Sequence, residues 1–166
     1  MSVLAIIIFQ LALLVPGAIK GIYQKSQLHK WYNRLIRPAY TPHNDFFPPF
    51  SILNCILVAT AGYLVWSEES GFSSKHTYAW FLYFFTLFLS NMFAPLFFGL
   101  KWMFTSSIYM VVIDIFTFLN MKAFYEINPT ACWLMIPYAI FVVFSTYMIT
   151  GFWWLNKDRN LNNKKE

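Results

Sequence analysis

The sequence predicts an all-α membrane protein, a bundle of five transmembrane helices, and three observations indicate this fold class. Of the 166 residues, 58% are hydrophobic and only 11% are charged, whereas about 25% are charged in a typical soluble domain. The mean hydropathy is +0.50, which implies more apolar surface than a small soluble chain can bury. The apolar residues also fall into five runs, most of them close to the ~20 residues that cross a bilayer core of ~30 Å.

The five predicted spans carry almost no charge, the exception being Asp114 in the fourth. They are Val3–Ile19, Phe46–Trp66, Tyr78–Leu100, Trp102–Met121 and Thr130–Asn156. We expect residues 1–156 to form one transmembrane domain and residues 157–166 to form a basic C-terminal tail. The first run has no basic segment before it and no small-residue cleavage site after it, so we expect a retained span rather than a cleaved signal peptide.

The longest predicted loop is Lys20–Asp45, which leads directly into the uncharged second span. Pro38 and Pro42 keep the end of this loop from forming helix, because proline lacks a backbone N–H and disfavours helical geometry in the residue before it. Pro48 and Pro49 fit the first turn of the second helix, where the missing N–H costs little. We therefore expect a stiff loop that folds over one end of the bundle.

The basic residues are distributed unevenly between the two sides of the membrane. With five spans, the long loop, the turn at Lys101 and the tail share one side. That side holds ten basic residues, namely Lys20, Lys25, Lys30, Arg34, Arg37, Lys101, Lys157, Arg159, Lys164 and Lys165. The other side holds Lys75 and Lys122. The bias predicts that the loop and the C-terminus face the cytosol. It also explains the formal net charge of +5, so we expect no nucleic acid partner.

The cysteines and histidines do not form a pattern that would hold a metal ion. Cys55 and Cys132 both lie in apolar runs, where packed, reduced thiols are the simplest interpretation. The histidines have no cysteine or acidic partners at metal-ligand spacing, and they are His29, His43 and His76. We expect neither a metal site nor a cofactor.

Four blocks of residues, in register on five predicted spans, resemble the translocator protein family. This family is also called the tryptophan-rich sensory protein or peripheral-type benzodiazepine receptor family. The blocks are Trp31-Tyr32 with Pro38, Pro42 and Pro49; Tyr63-Leu64-Val65-Trp66; Pro95-Leu96-Phe97-Phe98-Gly99; and Pro137-Tyr138 with Phe144, Trp153 and Asn156. The resemblance covers Trp31–Asn156 without an evident gap.

The resemblance implies an integral membrane protein that binds flat hydrophobic ligands in a pocket opening to the cytosol under the first loop. Family members bind porphyrins and synthetic isoquinolines. In animals they also bind cholesterol and lie in the outer mitochondrial membrane. The expected partners are therefore a porphyrin-like or sterol-like molecule and membrane lipid, with transport and a homodimer left open. Apolar walls would come from Phe93, Phe97, Phe141 and Phe144, and orienting hydrogen bonds from Tyr32, Asn91, Tyr138 and Ser145.

The chain departs from the family pattern at several tryptophan positions. The family usually has tryptophan at the positions of Tyr40, Ser51, Asn91, Phe93 and Phe141. Tryptophans at the positions of Ser51 and Phe141 are implicated in light-dependent porphyrin degradation by bacterial members. Their absence predicts a protein that binds porphyrin without consuming it.

The sterol-contact motif of the family is also lost. Thr150 and Trp154 replace its tyrosine and arginine, which predicts weak cholesterol binding.

Two alternatives remain open besides ligand binding: an enzyme that degrades porphyrin, and a structural bundle that recruits partner proteins. No nucleophile–base pair or phosphate loop in the sequence favours an enzyme. Asp114 lies about 18 Å into its span by helical rise, and an acid at that depth is either functional or bonded to a hydroxyl on a neighbouring helix. The sequence favours the two interpretations equally.

Overall fold

The computed structural model describes residues 3–28, 31–43, 46–68, 72 and 76–158. Within these residues the regular structure is helical, with five α-helices and no strand. The helices are α1 (Val3–Leu28), α2 (Phe47–Glu68), α3 (Thr77–Ala94), α4 (Met103–Ile127) and α5 (Pro129–Asn156). A short 3₁₀ turn, Tyr32–Arg34, lies between α1 and α2, and a π-helical segment, Pro95–Gly99, follows α3. The fold class predicted from the sequence is confirmed.

Four of these helices are long and apolar enough to cross a membrane: α2, α3 with its π-helical extension, α4 and α5. The apolar part of α1, Val3–Ile19, is shorter. The outward faces of the helices carry large exposed hydrophobic side chains such as Phe81, Phe88 and Ile140. A lipid environment is the setting in which such surfaces are stable, so the chain is an integral, multi-pass membrane protein.

Two predicted loops begin later than the sequence indicated. The loop placed at Lys20–Asp45 is wrong in its first part, because α1 continues as helix to Leu28. The fourth span was expected to end at Met121, whereas α4 continues to Ile127. Hydropathy marks where the apolar stretch ends, but a helix continues into polar residues until proline or another helix-breaking residue stops it.

The five helices close into a ring. In order around the ring, α1 packs against α2, α2 against α5, α5 against α4 and α4 against α3, which returns to α1. Two tyrosines reach across the interior: the Tyr83 hydroxyl donates to the Val58 carbonyl at 3.2 Å, and Tyr138 shares a 2.6 Å hydrogen bond with Ser90. These contacts tie α3 to α2 and to α5 through the middle of the bundle.

Local sequence explains where several helices begin and end. Pro48 and Pro49 lie in the first turn of α2, as predicted. Asn128 caps α5, because its side-chain oxygen accepts hydrogen bonds from the amides of Thr130 and Ala131 at 2.9 and 3.2 Å. Pro95 lacks an amide hydrogen, and the helix there widens so that the Leu100 amide donates to the Pro95 carbonyl at 3.0 Å.

The two ends of the bundle differ. At one end, which we call the loop end, Lys101 lies over Trp31 at 6.0 Å from the ring centre, and Asn156 bonds to Ile36. The 31–43 loop, the turn at Lys101 and the end of α5 therefore lie together. At the opposite end, the Asn128 side chain donates to Glu68 at 3.3 Å.

Candidate functional site

An aromatic cluster lies directly beneath the 31–43 loop, and we call it the loop cluster. Trp31 and Tyr32 are only 6% and 5% exposed. The Trp31 ring packs edge-on against Phe97 with ring centres 5.5 Å apart, and Phe93 stacks on the same Phe97 at 5.6 Å with planes 10° apart. Tyr32 packs on Phe152 at 5.0 Å. Three of the predicted ligand residues, Tyr32, Phe93 and Phe97, are thus brought together here.

The hydroxyl of Tyr32 remains a neutral hydrogen-bond donor across the physiological pH range. Burial raises the pKa of Tyr32 to about 12, and the guanidinium of Arg37 opposes part of this rise. Arg37 lies 5.7 Å from the centre of the Tyr32 ring. The loop cluster therefore contains both a protonated phenol and a stacked pair of phenylalanines.

The loop is fastened to α5 through Asn156, which is 1% exposed. The Ile36 amide donates to Asn156 Oδ1 at 2.9 Å, and Asn156 Nδ2 donates back to the Ile36 carbonyl at 3.0 Å. The same Nδ2 donates to the Phe152 carbonyl at 2.8 Å. One buried side chain thus satisfies both backbone groups of a loop residue, and we call this pair the Asn156 clasp.

Two further contacts hold the loop against the same helix. The Tyr147 hydroxyl donates to the Ala39 carbonyl at 2.9 Å. At Gly151, an added Cβ would lie 2.7 Å from Cγ of Pro38, so glycine is required for this close approach. The loop is therefore attached to α5 along about two and a half helical turns, from Tyr147 to Asn156.

The other predicted ligand residues are spread along α3 and α5. Tyr138 lies between the two hydrophobic clusters of the bundle, packing against both, and bonds to Ser90 on α3. Phe141 contacts the ring of Phe50 on α2 at 5.4 Å. Phe144 packs against the hydrophobic core of the loop half, and it also lines an outward-facing apolar groove of about 530 Å³ that involves α4 and α5.

Asn91 and Ser145, predicted to orient a ligand, bond to their own helices. Asn91 Nδ2 donates to the Leu87 carbonyl at 2.9 Å, and the Ser145 hydroxyl donates to the Phe141 carbonyl at 2.7 Å. Both bonds follow the i to i−4 pattern by which polar side chains satisfy themselves inside a span. The oxygen of each side chain can still accept a hydrogen bond from a ligand.

Asp114 is bonded to a hydroxyl on a neighbouring helix, which was one of the two interpretations left open by the sequence. The Thr146 hydroxyl on α5 donates to Asp114 Oδ2 at 2.7 Å. The other carboxyl oxygen, Oδ1, has no hydrogen-bond partner among the described residues. Asp114 therefore joins α4 to α5 and is not part of the loop cluster.

A second aromatic cluster fills the opposite half of the bundle. Trp80 is 5% exposed and packs against Tyr83 and Phe124. A groove of about 270 Å³ opens to the outside beside this cluster, between the first three helices, and Trp66 is in its lining. Both grooves open to the outside of the bundle.

The residues that hold the loop in place were not predicted from the sequence. Asn156 was noted only as part of a family pattern, and Gly151 and Tyr147 were not singled out. The available signal was an asparagine at the end of a long apolar span, because a buried amide needs partners for both of its polar atoms. Cys55 and Cys132 are both in the reduced, thiol form.

Comparison with known proteins gives consistent matches over most of the chain. The profile of the TspO/MBR family matches residues 7–155. The chain is similar to the translocator protein of Ovis aries, with 26% identity over 145 residues, covering 87% of this chain and 86% of that protein. It is also similar to the tryptophan-rich protein TspO of Archaeoglobus fulgidus, with 27% identity over 157 residues, covering 94% and 99% of the two chains.

Proposed function

Because the chain belongs to the TspO/MBR family, we propose that it is a membrane ligand-binding protein that takes flat hydrophobic molecules beneath the 31–43 loop. The observation that carries the proposal is the stacked pair of Phe93 and Phe97 under a loop fastened to α5 by Asn156. Aromatic faces attract flat rings, and apolar sites between helices with few polar groups are common ligand pockets.

Ligand entry requires the loop cluster to rearrange, since its rings are already in mutual contact. The loop moves as a lid. The flat ring of the ligand then stacks on one of the two phenylalanines in place of the other. Tyr32 then donates a hydrogen bond to a polar edge of the ligand. In this arrangement, loop opening limits the rate of binding, as closing lids do in many ligand-binding proteins.

Porphyrin-like ligands fit the chain better than sterol-like ligands. The residues that replace the sterol motif, Thr150 and Trp154, are both exposed, and Lys157 lies over the Trp154 ring at 3.9 Å from its centre. We propose that cholesterol binds weakly.

We further propose that the loop end faces the cytosol from the outer mitochondrial membrane. Protease access to residues 157–166 on intact mitochondria tests this orientation, and protection of that tail would contradict it.

Binding is tested by titrating the purified protein with protoporphyrin in detergent and following tryptophan fluorescence. We expect saturable quenching, because Trp31 lies in the loop cluster. Trp31→Phe should remove a larger share of the quenched signal than Trp66→Phe, its matched control near the opposite end. Non-saturable quenching, or a larger loss with Trp66→Phe, would contradict binding beneath the loop and would favour a structural bundle.

Illumination of the same complex separates a binding protein from an enzyme. Ser51 and Phe141 occupy the positions where bacterial relatives carry redox-active tryptophans, so we expect the porphyrin absorption band to decay no faster than that of free porphyrin. Faster, protein-dependent bleaching that persists in Trp31→Phe and Trp66→Phe would favour the enzyme alternative.

A further inference from the structure

The described charges are concentrated at the loop end. That end carries four exposed basic side chains, Arg34, Arg37, Lys101 and Lys157, against one acid, Asp158. The opposite end carries one described basic side chain, Lys122, against two acids, Glu68 and Glu126. The described part of the molecule therefore has a cationic end and a slightly acidic end, on either side of an apolar bundle.

Three of the four cations are held against aromatic rings. Arg37 lies over Tyr32 at 5.7 Å, Lys101 over Trp31 at 6.0 Å and Lys157 over Trp154 at 3.9 Å. A ring contact fixes the side chain but covers only one side of the cation. Arg37 also donates to Asn33 at 3.0 Å, which uses part of a guanidinium with five N–H donors.

Two of these cations directly follow the two residues of the Asn156 clasp. Ile36 and Asn156 are bonded directly, and each is followed in the chain by a cation, Arg37 and Lys157 respectively. Lys101 lies across the loop, against Trp31. All three cations therefore lie at the loop end, where the spans end, which is the depth of lipid headgroups.

The backbone at Lys101 supports a functional role for this arrangement. Lys101 has φ of 60°, a left-handed conformation that favours glycine. A lysine held there is strained, and such strain is concentrated at functional sites. Glycine would relieve the strain but would provide no cation over Trp31.

We propose that Arg37, Lys101 and Lys157 form a collar that binds the headgroup of an anionic phospholipid. The phosphate of the lipid would accept charge-assisted hydrogen bonds from cations already positioned by the aromatic rings. The acyl chains of the lipid would lie along the apolar outer faces of the helices. A bound lipid of this kind would also hold the loop closed, because two of its three contacts flank the Asn156 clasp. The loop would then open more readily in a membrane without anionic lipid.

The test uses the full-length protein in detergent with equal amounts of phosphatidylglycerol and phosphatidylcholine of identical acyl chains. Native mass spectrometry then counts the retained lipids. We expect phosphatidylglycerol to be preferred by about tenfold or more, since each basic residue near a membrane surface attracts anionic lipid. The triple variant Arg37→Gln, Lys101→Gln, Lys157→Gln should lose the preference, whereas the control Lys122→Gln at the opposite end should keep it.

Three outcomes would overturn the collar: equal retention of both lipids, an unchanged preference in the triple variant, or an equal loss in Lys122→Gln. If the triple variant does not fold, Lys101→Gly provides the same test, because glycine suits the left-handed backbone. It should keep the melting temperature of the lipid-free protein and lower the phosphatidylglycerol preference. An unchanged preference in this variant would also contradict the proposal.

Discussion

Gly62→Ala is expected to lower the free energy of unfolding by about 2–5 kcal/mol, from overpacking and loss of a buried hydrogen bond. An added Cβ would lie 2.6 Å from the Tyr83 hydroxyl and 2.8 Å from its Cζ. The Tyr83 ring cannot move aside easily, because it is 1% exposed and stacks on Phe124 at 5.4 Å. Displacing its hydroxyl also removes the bond to the Val58 carbonyl. Thermal unfolding in detergent, followed by circular dichroism, measures the change.

Gly21→Ala is the matched control, because nothing lies within 4 Å of its added Cβ. Alanine there should stabilise the protein by up to about 1 kcal/mol, the difference in helix propensity. Adding Tyr83→Phe to Gly62→Ala should recover part of the stability, since the nearest atom is removed. Equal melting temperatures for the two glycine variants would contradict close packing of the Tyr83 side chain against α2.

Asn156→Leu is expected to detach the 31–43 loop from α5 and weaken porphyrin binding by about tenfold or more, which corresponds to about 1.4 kcal/mol. Leucine preserves the bulk of the side chain but leaves the Ile36 amide and carbonyl without their partner. An unpaired, partly buried polar group costs about 1–3 kcal/mol, so the closed loop becomes the less populated state and the apparent affinity falls with it. The quenching titration measures this affinity.

Gly151→Ala offers a second, independent way to displace the loop, because its Cβ would overlap Pro38. It should weaken binding in the same direction while leaving Asn156 intact. Thr150→Val, at an exposed neighbouring position on the same helix, is the control and should bind normally. If both loop variants bind as tightly as the unmodified protein, the loop does not form part of the site.

Hydropathy alone was enough to predict the number and order of the helices, because a span must satisfy its backbone internally and present apolar side chains to lipid. It was not enough to place the ends of α1 and α4, since helix continues beyond the apolar stretch where no proline intervenes. Nor does any local pattern indicate that the helix at Pro95 widens to an i to i+5 bond.

The aromatic part of the site was predictable, and the contacts that hold the loop were not. Phe93 and Phe97 lie four residues apart on one helix and stack on each other, which is a local relation readable from spacing. Asn156 and Ile36 are separated by 120 positions, so their pairing depends on the tertiary fold. Asn91 and Ser145 show a different limit of sequence-based prediction. A polar residue in a span can form its hydrogen bond with its own helix, so its presence alone does not indicate a ligand contact.

Hydrogen exchange with and without protoporphyrin tests the central claim most directly, namely that the fastened loop covers the ligand. We expect the ligand to slow exchange of backbone amides in residues 31–43 and 93–99, while residues 61–68 near the opposite end change little. Saturable binding that leaves the 31–43 amides unaffected, or protection confined to residues 61–68, would contradict it.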